Sequence, residues 1–159
     1  MRDAGPEPLP VDPDVDLHAP AQRSELRRAP WAVLGAVSAG GAAGALARHG
    51  VSEAFPHAAG SFGWATFGIN VSGCLLIGAL MVAITEVRRA HPLVRPFLGV
   101  GVLGGFTTFS TYAVDVQRAL DAGEPRTALA YLAATPLCAL AAVLAGVRLT
   151  RALTRPARR

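Results

Sequence analysis

The sequence predicts an all-α integral membrane protein of four transmembrane helices, the third of them weakened near mid-membrane. Three observations predict it. Of the 159 residues, 52% are hydrophobic and only 16% are charged, where an ordinary soluble domain carries about 25% charged residues. The charges collect at the ends and in short gaps, leaving residues 31–47, 62–85, 97–114 and 129–147 without any. The third of these stretches contains a run of glycines and threonines that makes a poor helix. Spanning the hydrocarbon core takes about 20 apolar residues, with a range of roughly 17–25, and a basic residue at its centre costs roughly 2.5–3.5 kcal/mol on insertion scales. The alternative, four buried helices of a soluble protein, leaves too little amphipathic surface to cover them.

Residues 1–28 hold five prolines and six of the eleven acidic residues, with no hydrophobic periodicity. They are expected to be a disordered tail. The membrane domain is expected over residues 29–150, followed by a basic tail over 151–159. The first span opens at Pro30-Trp31, a proline suited to a first turn and a tryptophan suited to the interface. Its end, Ala45-Leu46-Ala47, resembles a signal-peptidase site, but the long acidic lead and three later spans argue against cleavage. Gly40 and Gly44 form a small-xxx-small pair that lets helices approach closely. Arg48 follows at the expected span end, placed to snorkel or to face an aqueous cavity.

In the second span Thr66 and Asn70 share one helical face. A mid-membrane amide must face protein or water, so Asn70 is either an interhelical hydrogen bond or a functional group. The third span contains Gly104-Gly105-Phe106-Thr107-Thr108-Phe109-Ser110-Thr111-Tyr112. Unwound backbone at this depth is tolerated only inside protein or along a cavity, where freed carbonyls can hold a cation. Two readings stay open: a broken helix with an ion site, and a kinked helix whose hydroxyls bond one turn back. The fourth span carries Tyr131 and Thr135 one turn apart, then Pro136. Cys74 and Cys138 lie within spans and are expected to pack, without a disulfide or metal-ligand spacing. No nucleotide-binding loop or catalytic constellation occurs, so no enzyme is expected.

With these residues in hand, the chain resembles the Fluc/CrcB family of bacterial fluoride channels over about residues 31–150. The glycine-rich first span leading into Arg48, the run Gly68-Ile69-Asn70-Val71-Ser72-Gly73 and the run from Gly104 to Tyr112 carry the likeness. The resemblance implies an antiparallel dimer with each third helix broken at that last run. It implies a structural, non-transported sodium ion at the dimer centre, held by the Gly104 and Thr107 carbonyls. Two fluoride pores would run along the interface. Phe109 would offer a ring edge to the anion, Asn70 would face the pore, and Ser110 and Thr111 would continue the hydroxyl run. Tyr131 and Thr135 match a polar track on the fourth helix whose third member is here Ala139. Tyr112 stands where the family has a second phenylalanine. Arg48 would concentrate anions at a vestibule. The implied function is passive efflux of cytoplasmic fluoride across the bacterial cell membrane.

Two other functions compete. A drug–proton antiporter needs a membrane-embedded carboxylate, and Glu53, Glu86 and Asp115 are expected at span ends or in connections. A non-conducting structural subunit is kept open by Tyr112 and Ala139. The partner follows from charge. With both termini in the cytoplasm, twelve of the fifteen arginines lie inside and three, Arg48, Arg118 and Arg126, lie outside; there is no lysine. Such a bias fixes one orientation, whereas an antiparallel homodimer needs both. A paralogous partner of opposite bias is therefore slightly favoured over a homodimer.

Overall fold

The computed structural model describes residues 31–87 and 91–154. The expected tail at 1–28, residues 155–159 of the tail expected at 151–159, and the arginines at 88 and 89 lie outside the described residues. Contacts divide the chain into Met1–Trp31 and Ala32–Arg159, and the fold is that of the second unit. Every regular element among the described residues is helical.

Helix α1, Trp31–Ala54, is rich in alanine and glycine and buries only Gly40 and Gly44. A Cβ at Gly40 would collide with the Phe97 carbonyl, and one at Gly44 with the Val102 carbonyl. On the facing element, Gly101 approaches the Val37 carbonyl and Gly105 the Gly41 carbonyl in the same way. The small-xxx-small pair is thus a packing seam, as close backbone approach requires. The helix continues past the expected end at Ala47, so Arg48 lies within it rather than at its terminus. Its guanidinium Nε donates to the Gly105 carbonyl at 3.2 Å.

Helix α2, Trp64–Val82, ends in a π-helical stretch, Ala83–Val87. The third apolar stretch starts as a π-helix, Arg95–Leu103, with proline in its first turn. It closes in one α-helical turn, α3, Gly104–Phe106, and restarts as α4, Ser110–Asp121. Helix α5, Pro125–Thr154, runs without interruption through Pro136 and past the expected boundary at 150. It packs mainly on α2 and also on α4. Glycine again sets the spacing: a Cβ at Gly146 would strike the Leu75 carbonyl, and one at Gly78 the Val143 carbonyl. A bidentate pair between Arg151 and Glu86, with Nη2 as donor at 2.6 Å, ties the far ends of α5 and the second stretch together.

Three stretches, Trp64–Glu86, Arg95–Asp121 and Pro125–Thr154, are long and apolar enough to cross a membrane. Every window of 18 residues in α1 includes Arg48, which keeps that helix out of the set. Large apolar side chains lie exposed along these stretches, among them Leu76, Val100, Leu137, Leu140 and Leu144. Water does not tolerate so much continuous apolar surface, and lipid does.

Candidate functional site: an uncharged groove at the helix break

The break occurs within three residues. The Thr107 amide still donates to the Leu103 carbonyl at 3.0 Å. Thr107 itself then turns to an extended conformation, with ψ 157°. The Thr108 amide, which would close the next turn onto the Gly104 carbonyl, donates instead to Asn70 Oδ1 at 2.8 Å. The Asn70 amide nitrogen returns the bond, donating to the Thr108 carbonyl at 2.8 Å. The Thr111 amide, which would reach the Thr107 carbonyl, donates to Thr108 Oγ1 at 3.2 Å. The helical ladder resumes with the Ala113 amide on the Phe109 carbonyl.

Of the two readings left open, the structure therefore has the broken helix. One hydroxyl does bond one turn back, Thr107 Oγ1 to the Leu103 carbonyl at 2.9 Å, and it finishes the helix before the break. Asn70 makes an interhelical hydrogen bond, and it lines a cavity. Backbone groups at this depth must be satisfied, and one side-chain amide has the donor and the acceptor to do it.

Beside the break lies a cavity of about 510 Å³. Asn70 and Cys74 line it from α2, Gly104, Thr107, Thr108, Phe109 and Tyr112 from the third stretch, and Thr135, Pro136 and Ala139 from α5. Sequence reasoning thus brings Asn70, Gly104, Thr107, Phe109, Tyr112 and Thr135 to one place. Phe109 is 79% exposed, its ring 5.7 Å from that of Tyr112. Ser110 and Thr111 face Thr108, whose Oγ1 donates to Thr111 Oγ1 at 3.1 Å and lies 3.3 Å from Ser110 Oγ. Tyr131 is buried behind the wall, its ring 5.3 Å from that of Tyr112 and 4.8 Å from that of Phe62. Arg48 sits against the break through its bond to Gly105 and does not line the groove.

Cys74 and Thr108 were missed as lining residues. Cys74 is one turn beyond Asn70, so the spacing that put Thr66 and Asn70 on one face also includes it. The Tyr112 hydroxyl neither narrows the groove nor serves it. It donates to the Leu132 carbonyl at 2.6 Å. Leu132 is four residues before Pro136, which has no amide hydrogen to give that carbonyl. Asp115 also departs from expectation. It is 4% exposed, inside the third apolar stretch, with Oδ2 accepting from Thr66 Oγ1 at 3.1 Å. A buried carboxylate is present after all.

Helices that are apolar outside, one of them broken and spliced by a neighbour's amide, with an uncharged groove beside the break, define a class of small helical membrane protein. Within that class the chain belongs to the CrcB family: residues 35–147 match the family described as CrcB-like protein, Camphor Resistance (CrcB). It is 53% identical over 131 residues to the fluoride-specific ion channel FluC 2 of Streptomyces avermitilis, covering 82% of this chain and 83% of that one. It is 57% identical over 125 residues to FluC 1 of Streptomyces coelicolor, covering 79% and 80%. A second Streptomyces avermitilis protein, FluC 3, is 41% identical over 137 residues, covering 86% of this chain and 66% of that one. The family expected from the sequence is borne out.

Proposed function

We propose that this chain is a subunit of a fluoride-specific channel that lets cytoplasmic fluoride leave a bacterial cell passively. The observation that carries it is the groove itself, uncharged, with the Asn70 amide, the unpartnered Thr135 hydroxyl and the Phe109 ring on its walls. Fluoride is small and tightly hydrated, so it leaves water only for strong donors. Amides and hydroxyls are such donors, and the positive edge of the Phe109 ring adds attraction without a formal charge. A lining cation would hold the ion too firmly, because conduction needs sites weak enough to leave. The sequence argument against an antiporter falls with the burial of Asp115, and membership of the CrcB family takes its place.

In this reading α1 is the fourth span, and both termini face the cytoplasm. The groove is one wall of a pore that a second, antiparallel subunit closes. The open side of the break supports this, since unwound backbone at membrane depth must be enclosed by protein or line a cavity. The break suits a sodium ion. The Gly104 and Thr107 carbonyls have lost their helical donors to Asn70 Oδ1 and Thr108 Oγ1, and carbonyl oxygens of unwound helices are a sodium donor set. Such an ion supplies positive charge that holds broken helices together, and Asn70 keeps the backbone shaped for it. A paralogous partner remains slightly favoured over a homodimer on the arginine bias; that Streptomyces avermitilis has FluC 2 and FluC 3 supports it.

The test is fluoride efflux from liposomes holding the purified protein, with and without a paralogous partner. Efflux with the partner alone would fit a heterodimer, and absence of fluoride flux in both samples would sink the channel reading.

A further inference from the structure

The break strands a further carbonyl besides those of Gly104 and Thr107. The Phe109 amide would close the next helical turn onto the Gly105 carbonyl, and it makes no such bond. Arg48 takes that place, its Nε donating to the Gly105 oxygen at 3.2 Å from 57 residues away in sequence. The last carbonyls of a helix always need partners from elsewhere. Water supplies them at a protein surface, but not at membrane depth outside a cavity.

The close approach of α1 makes this bond possible. Gly40 and Gly44 leave no room for a Cβ against the backbone of residues 97–106, and Gly101 and Gly105 leave none against α1. A Cβ at Gly44 would stand 2.8 Å from the amide nitrogen of Phe106, the last residue of α3. Arg48 is one turn beyond Gly44, which carries it to the open end of the first half-helix. The residue is half-buried there. A helix C-terminus carries partial negative charge and favours a cation, and a charged donor makes the stronger bond.

A guanidinium that merely concentrated anions would need no particular acceptor. Arg48 stands instead on a carbonyl that the break opened, and it does not line the groove. Its acceptor residue lies between residues that do: Gly104 precedes Gly105, and Thr107, Thr108 and Phe109 follow. We infer that Arg48 is a positioning residue for conduction. Its Nε caps the first half-helix at Gly105 and so holds the break in the shape the groove requires. It acts as a donor of set reach, and its charge strengthens the bond. The inference rests on the channel reading proposed above.

Glutamine and methionine separate the donor from the charge. Glutamine Nε2 stands as many bonds from Cα as arginine Nε and reaches the same carbonyl, whereas methionine has the length without a donor. Neither carries charge. Fluoride efflux from liposomes, with the assembly that conducts, is expected to fall about tenfold in Arg48→Met and to recover in good part in Arg48→Gln. Efflux at least about threefold faster in Arg48→Gln than in Arg48→Met upholds the inference, and a smaller difference overturns it. Should Arg48→Met fail to assemble, the half-saturating fluoride concentration of Arg48→Gln at low ionic strength decides. A value within about threefold of wild type upholds the cap, and a larger rise marks an anion-concentrating charge and overturns it. Where wild-type protein conducts no fluoride at all, the channel reading fails by itself, and thermal unfolding in detergent judges the cap. Arg48→Met unfolding at a lower temperature than Arg48→Gln upholds it, and equal temperatures or the reverse order overturn it.

Discussion

Pro136 has no amide hydrogen, and Tyr112 is the residue that makes this tolerable. Its hydroxyl occupies the Leu132 carbonyl that the proline leaves empty, so this tyrosine answers a local defect in α5. Tyr112→Phe strands that carbonyl and is expected to cost about 1–3 kcal/mol. In a Pro136→Ala background the same change is expected to cost much less, because the helix repairs itself. Thermal unfolding of the two single variants and the double variant in detergent measures the coupling, and strictly additive losses would separate the two residues. Asn70 acts at the same scale. Asn70→Asp removes the donor to the Thr108 carbonyl and sets an anion beside the groove. Fluoride flux is expected to fall about tenfold or more, since roughly 1 kcal/mol rides on each lost hydrogen bond and the charge adds to it. Size-exclusion chromatography is expected to show an intact assembly. Asn70→Asp that conducts like wild type would return the residue to a packing role.

At the scale of the element, the third stretch consists of two half-helices spliced by a neighbour. The Gly104 and Thr107 carbonyls are turned out of the ladder because their donors are engaged elsewhere. If these oxygens hold sodium, purification with sodium replaced throughout by a large organic cation is expected to lower the unfolding temperature by several degrees, the size of an effect of about 1–2 kcal/mol. An unfolding temperature indifferent to sodium would remove the ion from the break. The seam between α1 and this stretch is equally specific. Gly44 has the Val102 carbonyl where its Cβ would be, so Gly44→Val drives α1 off the seam. The expected loss is about 1–3 kcal/mol or more, typical of overpacking. Gly35→Ala, with nothing within 4 Å of its added carbon, is the control and is expected to be neutral.

The whole molecule is asymmetric in charge. On the proposed four-span topology, twelve of the fifteen arginines belong to the side of the termini, and such a bias opposes insertion in two orientations. Expression of this chain alone, with Cys74 and Cys138 replaced by serine and one new cysteine at each terminus in turn, reports orientation by labelling. Labelling from the cytoplasmic side alone is expected. Equal labelling from both sides, together with fluoride flux, would establish a dual-topology homodimer and end the case for a paralogous partner.

Sequence alone determined the helical class, the apolar stretches, the family and the run at which the third helix breaks. These are legible because they depend on composition and local propensity: charge is absent where lipid must be, and Gly104, Gly105 and the threonines weaken a helix wherever they are placed. It also put Thr66 and Asn70 on one face, though not Cys74, which the same spacing would have added. Only the tertiary structure decided what those residues do. That Asn70 splices the Thr108 backbone, that Tyr112 serves Pro136, that α1 runs on through Arg48 and that Asp115 is buried against Thr66 all depend on contacts between residues 20 to 57 positions apart. A hydrogen-bond donor in a sequence shows what it can give. Which acceptor has lost its own partner, and so needs it, is settled only when the helices have packed.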